Sequence, residues 1–124
     1  MFAAEGIIRY YRNWCMAWVD DGISQYYRSL LPKALYVQSP MRPAHVSIMR
    51  LFEECNRKNW GKYGGQSIVV EYEPGIQTDG LYYWLDCWSD EVGFIRRSLG
   101  LSTFRENDGY SDYGCYHITI GNTK

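Results

Sequence analysis

The sequence has little of what a membrane span or a polyanion-binding surface requires. Its apolar runs are far shorter than the roughly 20 residues that cross a bilayer. Its 13 basic and 14 acidic residues leave a net charge of -1, so no positive field exists to hold duplex nucleic acid. The N-terminus shows no basic start, apolar h-region or cleavage site. We therefore expect a cytoplasmic protein whose partner is neither a membrane nor a duplex.

Cysteine and histidine are also scarce, which argues against a metal centre or a disulfide framework. No two cysteines form a CxxC pair, and only Cys115 and His117 stand at a spacing typical of metal ligands. A chain of 124 residues can fold without disulfides. We expect reduced thiols packed as small apolar side chains, no metal and no cofactor. The other cysteines are Cys15, Cys55 and Cys87.

Two segments of the chain share one order of elements: strand, helix, strand. Residues 13–19 and 81–88 have the composition of strands. Each is followed by an N-cap candidate and a helical pattern, which ends at Pro32 in the first segment and at Gly100 in the second. A shift of 69 positions places the tripeptide Arg-Ser-Leu of one helix on that of the other. The pattern indicates a duplication.

The duplication predicts one domain that spans the whole chain. Besides the two segments above, the sequence predicts strands at residues 44–51, 67–73 and 115–120. We predict a single domain over residues 1–124, built from two similar lobes at about 1–66 and 67–124.

Both histidines of the chain stand in the same pattern: histidine, aliphatic, hydroxyl residue, aliphatic. The two tetrapeptides are HVSI at 45–48 and HITI at 117–120. Because side chains alternate across a strand, His45 shares a face with Ser47, and His117 shares one with Thr119. Imidazoles can take and give protons near neutral pH, and hydroxyls can donate hydrogen bonds to phosphate oxygens. The pattern predicts phosphoryl chemistry without a metal.

The two tetrapeptides resemble the paired His-x-Ser/Thr signature of the two-histidine (2H) phosphoesterase superfamily. The segment WVDDGISQYYRSLLPK, the separation of about 70 residues between the motifs and the ending YHITIGNTK resemble the phage phosphodiesterases of this superfamily that disable bacterial CBASS antiviral signalling. The resemblance implies an α+β, bilobed fold, in which the sheets of two duplicated strand–helix–strand lobes face a central cleft. It also implies hydrolysis of 3′–5′ linkages in cyclic di- or trinucleotides, in the host cytosol.

Such a substrate has bases and phosphates that need binding residues. Every base has a π-face on which an aromatic ring can stack, although core packing is an equally good interpretation of each candidate. Arg50 and Lys124 follow the motif strands and are candidates to neutralise phosphate, with solvated surface charge as the alternative. The aromatic candidates are Tyr10, Tyr11, Trp60, Tyr63 and Tyr72.

Two alternative functions stay open at this point. The chain could sequester a nucleotide messenger without breaking it, or it could hydrolyse 2′,3′-cyclic phosphates at RNA ends. Sequestration needs no paired imidazoles, which favours the enzyme. The sequence leaves open which histidine is the base, whether water or a ribose 2′-OH attacks, and the oligomeric state.

Overall fold

Six antiparallel strands form a closed barrel in the computed structural model, which describes residues 1–50, 53–102 and 116–123. The strands neighbour one another in the order β1, β2, β3, β6, β5, β4, and β4 pairs with β1 to close the barrel. Two short 3-10 turns lie at Lys33–Leu35 and Arg57–Asn59. The elements are β1 (Phe2–Tyr11), β2 (Trp14–Trp18), α1 (Asp21–Ser29), β3 (His45–Met49), β4 (Ser67–Thr78), β5 (Tyr82–Trp88), α2 (Asp90–Ser98) and β6 (Tyr116–Asn122).

This barrel contradicts the α+β, bilobed arrangement expected from the resemblance. The strands and helices predicted from the sequence are present with shifted ends, but they do not form two strand–helix–strand lobes with facing sheets. Instead β3 pairs directly with β6, and β1 joins β2 to β4. The physical reason is that the backbone hydrogen bonds of each half are completed by strands of the other half. One continuous sheet results, with only two helices of nine residues among the described residues.

Strand β1 has no counterpart in the sequence prediction. Only Gly6 and Ile8 of its ten residues are buried, so the alternation that identifies a half-buried strand is weak. Gly6 lies close to β2, where an added Cβ would stand 3.1 Å from the Cβ of Ala17. The strand is fixed by its two neighbours and not by its own apolar pattern.

The core is formed by the apolar face of the sheet and by one face of each helix. Val46 and Ile118 are completely buried there. Cys15 and Cys87 are also completely buried, which confirms the prediction of small apolar packing for these two; Cys115 is outside the described residues. No helix in the described part of the chain is long and apolar enough to cross a membrane.

Each helix hydrogen-bonds to the motif strand of the other half. Arg28 of α1 donates from Nη1 to the carbonyl oxygen of Ile120, at 2.9 Å. Arg96 of α2 donates from Nη1 to the carbonyl oxygen of Ile48, at 2.7 Å. The two isoleucines end the tetrapeptides HVSI and HITI. The two helices therefore make corresponding contacts to the two motif strands, although Arg96 is one position away from Arg97, the residue that the shift of 69 positions aligns with Arg28.

Arg96 is the most deeply buried charge among the described residues. Its side chain is 1% exposed and forms an ion pair with Glu53, at 2.8 Å. Its Nε also donates to the carbonyl oxygen of Ser102, at 2.7 Å. Burial acts to raise the pKa of Glu53, but the hydrogen bonds from Arg96 and from the backbone N–H of Arg50 outweigh it, so the pKa is lowered. The pair connects α2, β3 and the segment after β3.

We expect Arg96→Met to lower the free energy of unfolding by about 3–5 kcal/mol, because it removes the close partner of the partly buried Glu53 carboxylate and leaves it the longer contact to Arg50. The neighbouring Arg97 is exposed, and Arg97→Met is the matched control, with an expected change within about 0.5 kcal/mol. Urea denaturation of the three proteins measures both values. Equal losses in the two variants would contradict the role given to Arg96.

The pH dependence gives a second measure of the same pair. Because folding lowers the pKa of Glu53 from its ordinary value of 4.5, its contribution to stability is present above that value. The contribution is lost as the pH falls through the lower pKa of the folded state. The stability difference between the native chain and Arg96→Met should therefore narrow below pH 4.5 and stay constant near neutrality.

Candidate active site

The pairing of β3 with β6 brings the two histidine motifs together. Val46 lies opposite Ile118, and the strands are antiparallel, so His45 faces Thr119 and Ser47 faces His117. Val46 and Ile118 point into the core, and the four polar side chains are half-buried on the other face. We call His45, Ser47, His117 and Thr119 the motif centre. The structure thus places the four residues predicted to carry the chemistry in one patch.

Strands β2 and β5 extend this face on either side and give the two histidines different neighbours. On β2, Trp18 lies opposite His45. On β5, Asp86 lies opposite His117, and Trp84 lies opposite Thr119. Both imidazoles therefore lie next to an indole ring, and the imidazole of His117 also lies next to a carboxylate.

His45 is oriented by a backbone hydrogen bond and two indole rings. Its Nδ1 lies 2.8 Å from the carbonyl oxygen of Pro43. A carbonyl oxygen can only accept, so Nδ1 carries the hydrogen and Nε2 of the neutral ring is the proton acceptor. Trp14 and Trp18 pack against the ring with centroids 4.9 Å and 5.6 Å away. The geometry fits His45 to take a proton.

His117 lies beside a carboxylate that is itself held in place. Its Nε2 is 3.8 Å from Oδ1 of Asp86, longer than a hydrogen bond but close enough for charge attraction. The indole of Trp84 donates to the same Oδ1 at 3.1 Å and lies 5.1 Å from the imidazole, centroid to centroid. A fixed negative charge favours the protonated imidazole. The geometry fits His117 to give a proton.

The hydroxyl of Ser47 has a defined direction. Trp14 donates from Nε1 to Oγ of Ser47 at 3.1 Å. Because the oxygen accepts this bond, the hydroxyl hydrogen is available to donate elsewhere. Ser47 is thus suited to donate to an anion bound at the motif centre, and Thr119 supplies a second hydroxyl on the same face.

A cavity of about 770 Å³ lies against the motif centre. Its described lining includes three of the four motif residues, and His117 is outside that set. It contains the side chains of Arg42 and Arg50 and no carboxylate among the described lining residues, although the chain as a whole has a net charge of -1. The cavity is therefore suited to an anion. The described lining residues are Trp14, Gln38, Ser39, Pro40, Met41, Arg42, His45, Ser47, Arg50, Tyr82, Thr119 and Asn122.

One wall of the cavity consists of residues 38–42, which lie between the 3-10 turn that follows α1 and the start of β3. Gln38 and Asn122 exchange two backbone hydrogen bonds, of 2.8 Å and 3.1 Å, which fix this wall to the end of β6. Gly121 allows the close approach, since an added Cβ would overlap Cγ1 of Val37 and lie 2.7 Å from the carbonyl oxygen of Gln38. The wall is thus hydrogen-bonded to β6, the strand that carries His117 and Thr119.

We expect Gly121→Ala to displace the wall and to lower the free energy of unfolding by about 1–3 kcal/mol, the usual range for an overpacked site. Gly75→Ala is the matched control, because Gly75 lies in β4 and an added Cβ there meets nothing within 4 Å. Thermal and urea denaturation of both variants provide the comparison. A Gly121→Ala protein as stable as the control would show that the wall can move at no cost.

Four of the five aromatic candidates for base stacking pack against the core. The Tyr10 and Trp60 rings are 4.8 Å apart, and the Tyr10 hydroxyl accepts from the backbone N–H of Tyr63 at 3.4 Å. Burial is the main cause that raises the pKa of Tyr10 to about 12. Tyr72 lies between Phe2 and Tyr27, at 5.8 Å and 6.2 Å. None of these candidates is among the described residues that line the cavity.

The other predicted binding residues have different positions. Tyr11 is 53% exposed, with the guanidinium of Arg12 5.4 Å from its ring centre. Arg50 lines the cavity and forms an ion pair with Glu53, at 3.6 Å. Lys124 is outside the described residues. Of the seven candidates, the structure therefore brings Arg50 to the cavity.

Sequence reasoning missed five residues of this site: Trp14, Trp18, Arg42, Trp84 and Asp86. Asp86 had a signal, because it is the one charged residue in the apolar segment 81–88. Trp14 and Trp84 had a weaker signal, because their separation of 70 positions is close to the 69-position shift between the two segments. Arg42 had none, since its place depends on how segment 38–43 folds over the sheet.

Comparison with known proteins adds no assignment. A scan against protein-family models matched none, and searches of the curated proteins and of the solved structures found no similar protein. Among the described residues, no three histidine, cysteine or acidic side chains cluster so as to hold a metal ion. The function must be argued from the residues of the site.

Proposed function

We propose that this chain is a metal-independent phosphodiesterase that hydrolyses 3′–5′ linkages of cyclic di- or trinucleotides. The observation that carries the proposal is the β3–β6 register, which gathers two imidazoles and two hydroxyls on one face. The resemblance of both tetrapeptides to the 2H phosphoesterase signature points to the same chemistry. With it comes the proposed setting, a phage protein that removes the messengers of CBASS signalling in the host cytosol.

His45 is the general base in this proposal. Its Nδ1 hydrogen is directed to the carbonyl oxygen of Pro43, so Nε2 accepts the proton of the attacking hydroxyl, from water or from the adjacent ribose 2′-OH. The nucleophile then forms its bond to phosphorus. A base positioned within hydrogen-bond reach contributes typically about a hundredfold or more to the rate.

His117 is the general acid. The charge of Asp86 next to its ring favours the imidazolium before the reaction. As the bond between phosphorus and the 5′ oxygen breaks, His117 gives its proton to that oxygen, which leaves as a hydroxyl. The proton taken by His45 balances the one given by His117, and solvent restores both rings.

The hydroxyls of Ser47 and Thr119 stabilise the charge that grows on the non-bridging oxygens. Donors fixed in advance lower the barrier because they need no reorganisation during the reaction. Trp14 fixes Ser47 through its indole N–H. The positive cavity lining adds attraction for the phosphate.

The cavity volume supports a small ligand. Its 770 Å³ lies inside the range of about 300–1,000 Å³ that is usual for small-molecule sites. A cyclic dinucleotide is a ligand of this class, and a nucleic acid duplex is not.

We expect His45→Asn and His117→Asn each to reduce kcat by at least about a hundredfold, the usual contribution of a proton-transfer group. Ser47→Ala should cost about 1–3 kcal/mol of transition-state stabilisation, and Ser39→Ala, which removes another cavity hydroxyl, is its control. The measurement is conversion of cyclic dinucleotides to linear products with EDTA present. Unchanged thermal unfolding temperatures show that the variants fold.

The same assay separates the proposal from its alternatives. A sequestering protein returns the cyclic dinucleotide intact after heat release. An enzyme specific for RNA ends opens a 2′,3′-cyclic phosphate on an oligonucleotide and leaves the cyclic dinucleotide whole. Either outcome, or full activity in one of the histidine variants, rules out the proposed mechanism.

The pH profile tests the assignment of base and acid. One imidazole must be neutral and the other protonated, so kcat/KM should rise and then fall with pH, and its limbs belong to the coupled pair. Asp86→Asn removes the charge that favours the protonated His117, and we expect it to move the alkaline limb to lower pH. Glu5→Gln, on the exposed part of β1, is the control. An alkaline limb that stays in place contradicts the role of Asp86, and a monotonic rise to alkaline pH contradicts the pair.

A further inference from the structure

We infer that Arg42 binds a second phosphate of the ligand, one that is not cleaved, and so selects ligands with two phosphodiesters over ligands with one. The inference rests on the proposed function and deepens it. It follows from where Arg42 lies, from its charge and from what the motif centre already provides.

The indole ring of Trp14 separates Arg42 from the motif centre. Its Cζ lies 4.6 Å from the ring centre of Trp14. The same indole packs against His45 and donates to Ser47. Arg42 also lines the cavity. The guanidinium therefore shares the cavity with the motif centre and is attached to it through Trp14.

The charge of Arg42 is available to an anion. No described carboxylate lies within ion-pair distance of it, whereas Arg50 in the same lining is paired with Glu53 at 3.6 Å. Stacking on an aromatic face leaves the N–H groups at the edge of a guanidinium available, and two of them match a phosphate. Arg42 is thus a stacked cation whose donors are suited to phosphate.

The position of Arg42 fits an additional phosphate better than the scissile one. The motif centre already supplies two hydroxyl donors and two imidazoles for one phosphodiester. Trp14, and not Arg42, makes the described contacts to that centre. A cyclic dinucleotide carries two phosphodiesters in one ring, so a ligand held at the motif centre presents its second phosphate elsewhere in the cavity. Arg42 is the cation there without a described carboxylate partner.

The wall that carries Arg42 is fixed before the ligand arrives. Pro40 and Pro43 restrict the backbone on both sides of it, and Gln38 is tied to Asn122 by two backbone hydrogen bonds. A cation on a restrained segment loses less conformational entropy on binding. The arrangement favours a specific contact over general attraction.

Binding titrations of the full chain test the inference. The probes are three 3′,3′-cyclic dinucleotides, cyclic di-AMP, cyclic di-GMP and cyclic GMP–AMP, and the linear dinucleoside monophosphates ApA and GpG, which have a single phosphodiester. His117→Asn serves as the background so that probes are not consumed. In that background Arg42→Ala should weaken the binding of the preferred cyclic dinucleotide by about tenfold to a hundredfold, the range for a lost charge-assisted hydrogen bond. Binding of the linear probes should stay unchanged.

Two further variants sharpen the result. Arg42→Lys keeps the charge but loses the planar guanidinium. Its affinity for the cyclic dinucleotide should therefore lie between that of the background and that of Arg42→Ala. Arg12→Ala is the matched control, because Arg12 stacks on Tyr11 in a similar way, at 5.4 Å, but is not among the described cavity residues. Its affinity for every probe should equal that of the background.

Each other outcome has one meaning. Equal weakening of cyclic and linear probes by Arg42→Ala places Arg42 on the scissile phosphate and overturns the inference, as does no weakening of either or no binding of any probe. Turnover by the chain with Arg42 and His117 intact is measured separately. If Arg42-dependent binding of cyclic dinucleotides occurs without turnover, the inference stands and the phosphodiesterase proposal fails.

Discussion

The pairing of β3 with β6 is the constraint on which the rest of the site depends. With Val46 opposite Ile118, the apolar side chains of both motifs enter the core and the histidines and hydroxyls leave it. A slip of one residue in either strand would exchange the two faces. It would bury imidazoles and expose isoleucines. The register is thus held by the burial of the same side chains that alternate with the candidate catalytic residues.

The two motifs are alike in sequence but their surroundings differ. The carbonyl oxygens of Ile48 and Ile120 each accept a hydrogen bond from an arginine on the helix of the opposite half. The neighbouring strands differ: β2 puts Trp18 beside His45, and β5 puts Asp86 beside His117. Two similar motifs with different neighbouring residues can give their histidines opposite roles in proton transfer. The proposed reaction needs that difference, because one imidazole must take a proton while the other gives one.

Local features of this fold could be predicted from the sequence, and its closure could not. Five of the six described strands and the two described helices could be predicted from composition, alternation, capping residues and the stops at Pro32 and Gly100. Their assembly depends on pairing between residues far apart in the chain, and β1, in which only Gly6 and Ile8 are buried, carries little pattern of its own. The resemblance therefore implied two facing lobes where the structure has one barrel.

The candidate site also has a part that could be predicted from the sequence and a part that could not. The shared face of His45, Ser47, His117 and Thr119 could be predicted from the repeated tetrapeptide and from strand alternation. Four of the five aromatic candidates pack against the core instead, because composition cannot separate a ring that stacks on a ligand from a ring that fills a gap. Arg42 was missed since only the folded path of segment 38–43 brings it to the cavity.

Closure of the sheet also affects how the protein behaves among its own copies. Each of the six described strands has a hydrogen-bonded neighbour on both sides. An open sheet offers unpaired N–H and C=O groups at its outer strands, where a strand from another molecule can attach. Two separate lobes, each with an open sheet, would have had four such outer strands. The six described strands form a ring without an outermost strand, so they offer fewer sites than an open sheet for edge-to-edge addition of a strand from another molecule.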